Sequence, residues 1–166
     1  MTRYLAALNR IKQECCEEWL TNSQRVVFNE LRRFFDSGHR ILNVYGREGV
    51  GKTFLAWLLA NQQAAEYAGC VDELPRAVAR AVLDNSSSDR TFVRGMRNVM
   101  GRQSIDQLIL LSRSRVEDAI PAFELVLDED DIRCVRANLF RMDVELPDKP
   151  VRNLWELLAL VAEEEP

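Results

Sequence analysis

Apolar and polar positions recur along the chain with two different periods, and the switches between them mark out its elements. Tyr4, Leu8, Ile11, Cys15 and Trp19 fall at three- and four-residue steps, which predicts an amphipathic helix from Arg3 to Trp19. Thr21-Asn22-Ser23-Gln24 has the form of a capping box, with Thr21 as the cap and Gln24 reaching back. Val27, Leu31 and Phe34 then supply the buried stripe of a second helix, which Gly38 is expected to end. Five apolar runs, 41–45, 67–71, 81–84, 107–111 and 123–127, are too short for helices and read as strands.

Helical stretches lie between these runs. Residues 52–65 are apolar on nearly every side and belong between the sheet and another helix. Ser88 or Asp89 caps a helix running to about Met100, with Phe92, Val93, Met96 and Met100 inward and Arg90, Arg94, Arg97 and Arg102 on its polar side. Leu127-Asp128-Glu129 opens another, with Ile132, Val135 and Leu139 on one face and acids in the first turn that suit its dipole. After the break at Pro147 to Pro150, Val151, Leu154, Leu157, Leu158 and Val161 mark a last short helix ending in Glu163-Glu164-Glu165-Pro166, which either packs on the domain or docks to a partner. Strands alternating with helices predict a three-layer α/β fold on a mainly parallel five-stranded sheet.

The join between the first strand and its helix carries the chemistry. Gly46-Arg47-Glu48-Gly49-Val50-Gly51-Lys52-Thr53 is G-x-x-x-x-G-K-[ST], the phosphate-binding loop, in the strand–loop–helix context that the motif needs. The glycines free the backbone so that successive N–H groups converge on an anion, and the helix start adds unpaired N–H groups and a positive dipole end. Residues 46–53, with Phe54, are therefore expected to hold the phosphates. Lys52 would reach the terminal phosphates and the Thr53 hydroxyl would bind Mg²⁺. The strand 81–84 ends in Asp84, where a carboxylate at the carboxyl end of a parallel strand serves the same cation, so Thr53 and Asp84 are the candidate metal residues.

Composition narrows the class. The 166 residues fit one α/β domain, and the net charge of −4 argues against nonspecific nucleic-acid binding as the main activity, leaving the Arg90–Arg102 helix as a local basic face only. Cys15, Cys16, Cys70 and Cys134 lack zinc spacing and read as reduced thiols, and the single His39 disfavours a histidine metal site or a Ser-His triad. No run approaches membrane-spanning length and the polar start is no signal peptide, so a cytoplasmic location is expected.

Strand, phosphate loop, helix, strand ending in Asp84, helix, strand ending in Ser112-Arg113, then Phe123-Glu124-Leu125-Val126-Leu127-Asp128-Glu129-Asp130-Asp131-Ile132 is similar in order to the nucleotide-binding domains of STAND ATPases and their AAA+ relatives. The resemblance covers residues 20–142 and implies a P-loop NTPase domain. It implies that the strand ending in Arg113 lies between the phosphate-loop strand and the Asp84 strand. It makes Arg113 a sensor of the γ-phosphate, although Ser114-Arg115 could equally take that place. It also sets Trp19 to Gln24 beside the adenine, against plain capping and packing as the other role.

One position departs from the pattern. Many AAA+ ATPases follow the strand-ending aspartate with a glutamate that activates water, and here that residue is Asn85, an amide that cannot accept a proton. Hydrolysis is expected to be slow, absent, or dependent on a group from a partner.

The expected organisation is a helix in 1–20, a nucleotide-binding unit in 21–142 and a linker with a short helix in 143–166. The expected function is an ATP- or ADP-holding, Mg²⁺-dependent switch acting with other protein subunits, with Lys52, Asp84 and Arg113 at its centre. The domain reads as a regulatory subunit or a piece of a larger signalling or defence assembly. A small-molecule kinase and a nucleotide-stabilised scaffold without turnover are the alternatives. ATP is the default base because no N-K-x-D motif is present.

Overall fold

The computed structural model describes residues 3–163, so Met1-Thr2 and the acidic end at 164–166 lie outside the described residues. The first helix, α1 (Arg3–Glu14), stops short of Trp19, because Asn61 Nδ2 caps it from outside by donating to the carbonyls of Lys12 at 2.9 Å and Gln13 at 3.3 Å. A 3-10 turn at Glu17–Trp19 then leads to α2 (Asn22–Phe35). Both halves of its capping box form: the Gln24 N–H donates to Thr21 Oγ1 at 3.2 Å and the Thr21 N–H to Gln24 Oε1 at 3.1 Å. Gly38 does not end this helix. The Phe34 carbonyl is taken instead by the Ser37 hydroxyl at 2.7 Å and by Gln107 Nε2 at 3.0 Å.

The sheet is made of β1 (Ile41–Tyr45), β2 (Glu66–Ala68), β3 (Val78–Ser86), β4 (Ile105–Ser112) and β5 (Ala122–Glu124). Its order is β2-β3-β4-β1-β5, and every pairing is parallel. The strand that carries the phosphate loop and the strand that carries Asp84 are thus separated by β4. Parallel strands need crossovers, and α3 (Lys52–Asn61), α4 (Arg90–Gln103) and the connecting loops supply them. Helix α3 ends four residues earlier than its pattern suggests, because Gln63 turns left-handed and the Ala64 N–H bonds back to the Leu59 carbonyl at 2.9 Å. Strand β2 is likewise short. Its chain leaves at Gly69, whose N–H donates to the Glu73 carboxylate at 2.8 Å, and turns into a 3-10 segment at Val71–Glu73.

Three apolar clusters result. On one face of the sheet Phe28, Leu31, Leu55 and Leu59 from α2 and α3 pack on Leu42, Val44, Val82 and Ile109. On the other, Val93, Met96 and Met100 of α4 pack on Leu83, Leu108 and Leu110. The alternation of Leu42 and Val44 with Ile41 between these faces is the period-two pattern of a strand buried on both sides. The third cluster joins α5 (Glu129–Arg141) and α6 (Leu154–Glu163) through Leu139, Met142, Leu157 and Leu160, with Ile11 and Trp19 against it. Buried Asn43, on β1, is satisfied: its amide donates to the Leu110 carbonyl and Ser112 Oγ, and its oxygen accepts from the Val116 N–H. Among the described residues no helix is long and apolar enough to cross a membrane.

Candidate nucleotide-binding site

The loop between β1 and α3 is tied down from several elements. The Gly46 N–H donates to the Ser112 carbonyl at 3.2 Å, which joins the loop to the end of β4. Gly51 caps α3 in a left-handed conformation, φ 94°, and a Cβ there would lie 2.4 Å from Gln24 Nε2. Only glycine meets both conditions. The same Gln24 amide donates to the Gly51 carbonyl at 3.3 Å, so the cap of α2 reads out the position of the loop.

Lys52 folds over the loop and donates to the carbonyls of Gly46 at 2.6 Å and Arg47 at 2.9 Å. Burial lowers its pKa, opposed in part by the negative charges of Asp84 and Glu48, while Arg113 adds to the lowering. Thr53 Oγ1 donates to Asp84 Oδ2 at 2.8 Å. Asp84 is brought there by a bulge in β3: Leu83 pairs with Leu110 and Ser86 with Ser112, so two residues stand opposite one. The second bulge residue, Asn85, is left-handed at φ 52°, and its N–H donates to Asp84 Oδ1 at 2.8 Å. The Tyr67 hydroxyl, from β2, donates to Asp84 Oδ2 at 3.3 Å. Burial pushes the pKa of that phenol up to about 12, with the charge of Asp84 adding to it.

These groups fit a hard cation. Mg²⁺ is bound by one or two carboxylate or hydroxyl oxygens together with phosphates and water, and the Thr53 hydroxyl spends its one proton on Asp84, leaving its lone pairs free. Among the described residues no cluster of three or more metal-ligating side chains competes with this place.

Of the two candidate sensor arginines, the structure brings Arg113 to the loop, where it forms an ion pair with Glu48. Arg115 is exposed and lines no part of the cavity described below. Ser112 is committed elsewhere, since its hydroxyl accepts from Asn43 and donates to the Ser114 carbonyl at 2.7 Å. Val50 points into the core, so only its backbone can serve a phosphate, and Phe54 lies half-buried beside the cavity. The α4 arginines line none of it; Arg97 pairs with Asp118 at 3.2 Å, while Arg90, Arg94 and Arg102 are exposed.

The cavity encloses about 590 Å³ and has two kinds of wall. Lys52, Thr53, Asp84 and Arg113 supply its polar groups; Leu8, Ile11, Trp57, Val135, Leu139 and Leu154 supply apolar wall from four different helices. Trp19 and Gln24 also line it. The roles of Leu8, Asn153 and Leu154 are absent from the sequence reading. The stripe containing Leu154 shows a helix face, but not that its first turn sits on a loop more than a hundred residues earlier.

No protein-family model matches the chain, and no curated protein sequence does. Solved structures do. The replication initiator DnaA bound to AMPPCP and single-stranded DNA superposes with a TM-score of 0.62 at 15% identity, over 86% of this chain and 61% of that one. AMPPCP-bound DnaA from Aquifex aeolicus gives 0.53 at 16% identity over 88% and 58%. A DNA replication initiation factor gives 0.55 at 15% identity over 93% and 59%. The chain spans about three-fifths of the length of these structures. At such identities the likeness speaks for the fold, an AAA+-like P-loop NTPase fold.

Proposed function

We propose that this protein is a nucleotide-held switch that binds Mg·ATP or ADP in the cavity under α6. The observation that carries this reading is the convergence of Lys52 and Thr53, at the start of α3, with Asp84, at the end of β3, on a cavity that also has a wall of apolar side chains. That mixed lining suits a ligand that combines a polyphosphate with a flat, weakly polar ring. The binding of AMPPCP by two of the structural neighbours agrees with it.

In this reading residues 21–142 hold the nucleotide, and the helices of 1–20 and 143–166 close the base side. Backbone N–H groups at 46–53 and the start of α3 bind the phosphates. Lys52 exchanges the carbonyls of Gly46 and Arg47 for phosphate oxygens. Thr53 and Asp84 would hold Mg²⁺, which would supply positive charge to the phosphates. Arg113 leaves Glu48 for the γ-phosphate, so the ion pair reports which nucleotide is present. Asn85 orients water without accepting its proton, which makes the site a holder of nucleotide rather than a fast ATPase. Its partners are then other protein subunits in the cytoplasm, of the signalling or defence type that STAND-like domains serve. The same residue favours a second reading, a scaffold stabilised by nucleotide with no turnover at all.

The test is the melting temperature with and without Mg·ATP, together with the nucleotide extracted by acid from gently purified protein. The expected outcome is about one nucleotide per chain and a rise in melting temperature, both absent in Lys52→Ala. An empty wild-type protein that ATP does not stabilise would sink the proposal.

A further inference from the structure

Asp84 accepts three hydrogen bonds, and their distribution between its two oxygens is uneven. Among the described residues Oδ2 takes the Thr53 hydroxyl at 2.8 Å and the Tyr67 hydroxyl at 3.3 Å, whereas Oδ1 takes the Asn85 N–H alone, at 2.8 Å. A carboxylate oxygen offers two acceptor positions, so Oδ2 is filled and Oδ1 keeps one. We infer that Tyr67 is a positioning residue for the cation: by filling Oδ2 together with Thr53, its phenol turns Oδ1 of Asp84 toward Mg²⁺ or a water that Mg²⁺ holds. The inference rests on the nucleotide-binding reading above.

The fold supports the role. Tyr67 pairs with Val82 and Ala68 with Leu83 in the parallel register of β2 on β3, which places the phenol beside the end of β3 just before its bulge. The ring packs against the core under α3, and the Lys12 ammonium lies 5.7 Å from its centre. A bulge frees the carboxylate from strict strand geometry, and a second donor is what holds it in one rotamer. Without the phenol, Oδ2 has a free position and Asp84 can present either oxygen. Outer-shell partners of this kind typically change metal affinity by about 10–100-fold.

Tyr67→Phe keeps the ring and removes the hydroxyl, which donates to Asp84 and also meets the Trp57 side chain. Binding of a fluorescent N-methylanthraniloyl-ADP is followed while MgCl₂ is titrated, and again in EDTA. The expected result is a Mg²⁺ midpoint raised by about 10-fold in Y67F, with affinity in EDTA within about twofold of wild type. Asp84→Asn, as the reference, should abolish the Mg²⁺ effect. An unchanged midpoint overturns the inference while leaving nucleotide binding intact, as does an equal loss with and without Mg²⁺. A Y67F chain that no longer melts cooperatively also overturns it, because the phenol then holds the fold rather than the site. A wild-type chain that binds no nucleotide in either buffer removes the underlying reading, and this one with it.

Discussion

The Leu154 N–H donates to the Gly49 carbonyl at 2.8 Å, so the last helix starts on the phosphate loop itself. Asn153 caps that helix, accepting from the Glu156 N–H at 2.9 Å, and packs against Gly49. A ligand that reshapes the loop must therefore displace or carry the first turn of α6, and through it the cluster shared with α1 and α5.

Gly49→Ala tests this contact. Gly49 has φ 75°, and a Cβ there would lie 2.9 Å from the Asn153 Cβ. The expected cost is about 1–3 kcal/mol, a fall of roughly 3–10 °C in melting temperature. Gly38→Ala, with open space and no left-handed backbone, should melt as wild type or slightly higher. Equal behaviour of the two variants would show that α6 does not press on the loop.

Asn85→Glu introduces a carboxylate able to take a proton from water. Phosphate release should rise by about 10-fold or more over wild type, in line with general-base catalysis. The variant should also melt a few degrees lower, since glutamate tolerates the left-handed conformation of position 85 less well than asparagine, at about 1 kcal/mol. A malachite-green assay with a melting curve reads both effects.

Asp131 ties two helix starts together. Its Oδ1 accepts from the Ser23 N–H at 3.2 Å and its Oδ2 from the Asp128 N–H at 3.1 Å. Burial acts to raise its pKa, but the hydrogen bonds from Ser23 and Asp128 outweigh it and hold the carboxyl below its ordinary value. Folding is thus favoured by the ionised form: this contribution is complete above the unfolded value of about 3.9 and is lost as pH falls through the lower folded value. Asp131→Ala should cost about 1–2 kcal/mol at pH 7 by urea denaturation. Its disadvantage should shrink as pH falls below the unfolded value and through the lower folded one.

Thiol reactivity reports on packing. Cys15 is buried, and burial, followed by the neighbouring charge of Cys16, pushes its pKa up to about 11; Cys70 is exposed. Iodoacetamide at pH 8 should label Cys70 first and Cys15 last, with Cys15 labelled only on unfolding, as peptide mass spectrometry would show. Early labelling of Cys15 would mean that the junction after α1 opens in the folded protein.

Local physics made much of this protein legible from its sequence. The capping box of Thr21 and Gln24, the Asp89 cap, and the loop at 46–53 depend on neighbours within a few residues. So do the three central strands β1, β3 and β4, whose burial on both faces is written in their composition. The α/β class and the number of strands therefore follow from the chain read alone, as does the separation of β1 from β3 once the resemblance is allowed.

Tertiary structure decided what depends on distant partners. Helix α1 stops at Glu14 because Asn61 caps it, and α2 stops at Phe35 because Gln107 and Ser37 take the Phe34 carbonyl. Tyr67 meets Asp84 only through the register of β2 on β3 and the bulge that follows. Arg113, rather than Arg115, reaches Glu48 because the end of β4 lies beside the loop after β1. The apolar wall of the cavity is assembled from four helices that no local pattern links, since packing joins side chains by shape and burial rather than by spacing along the chain.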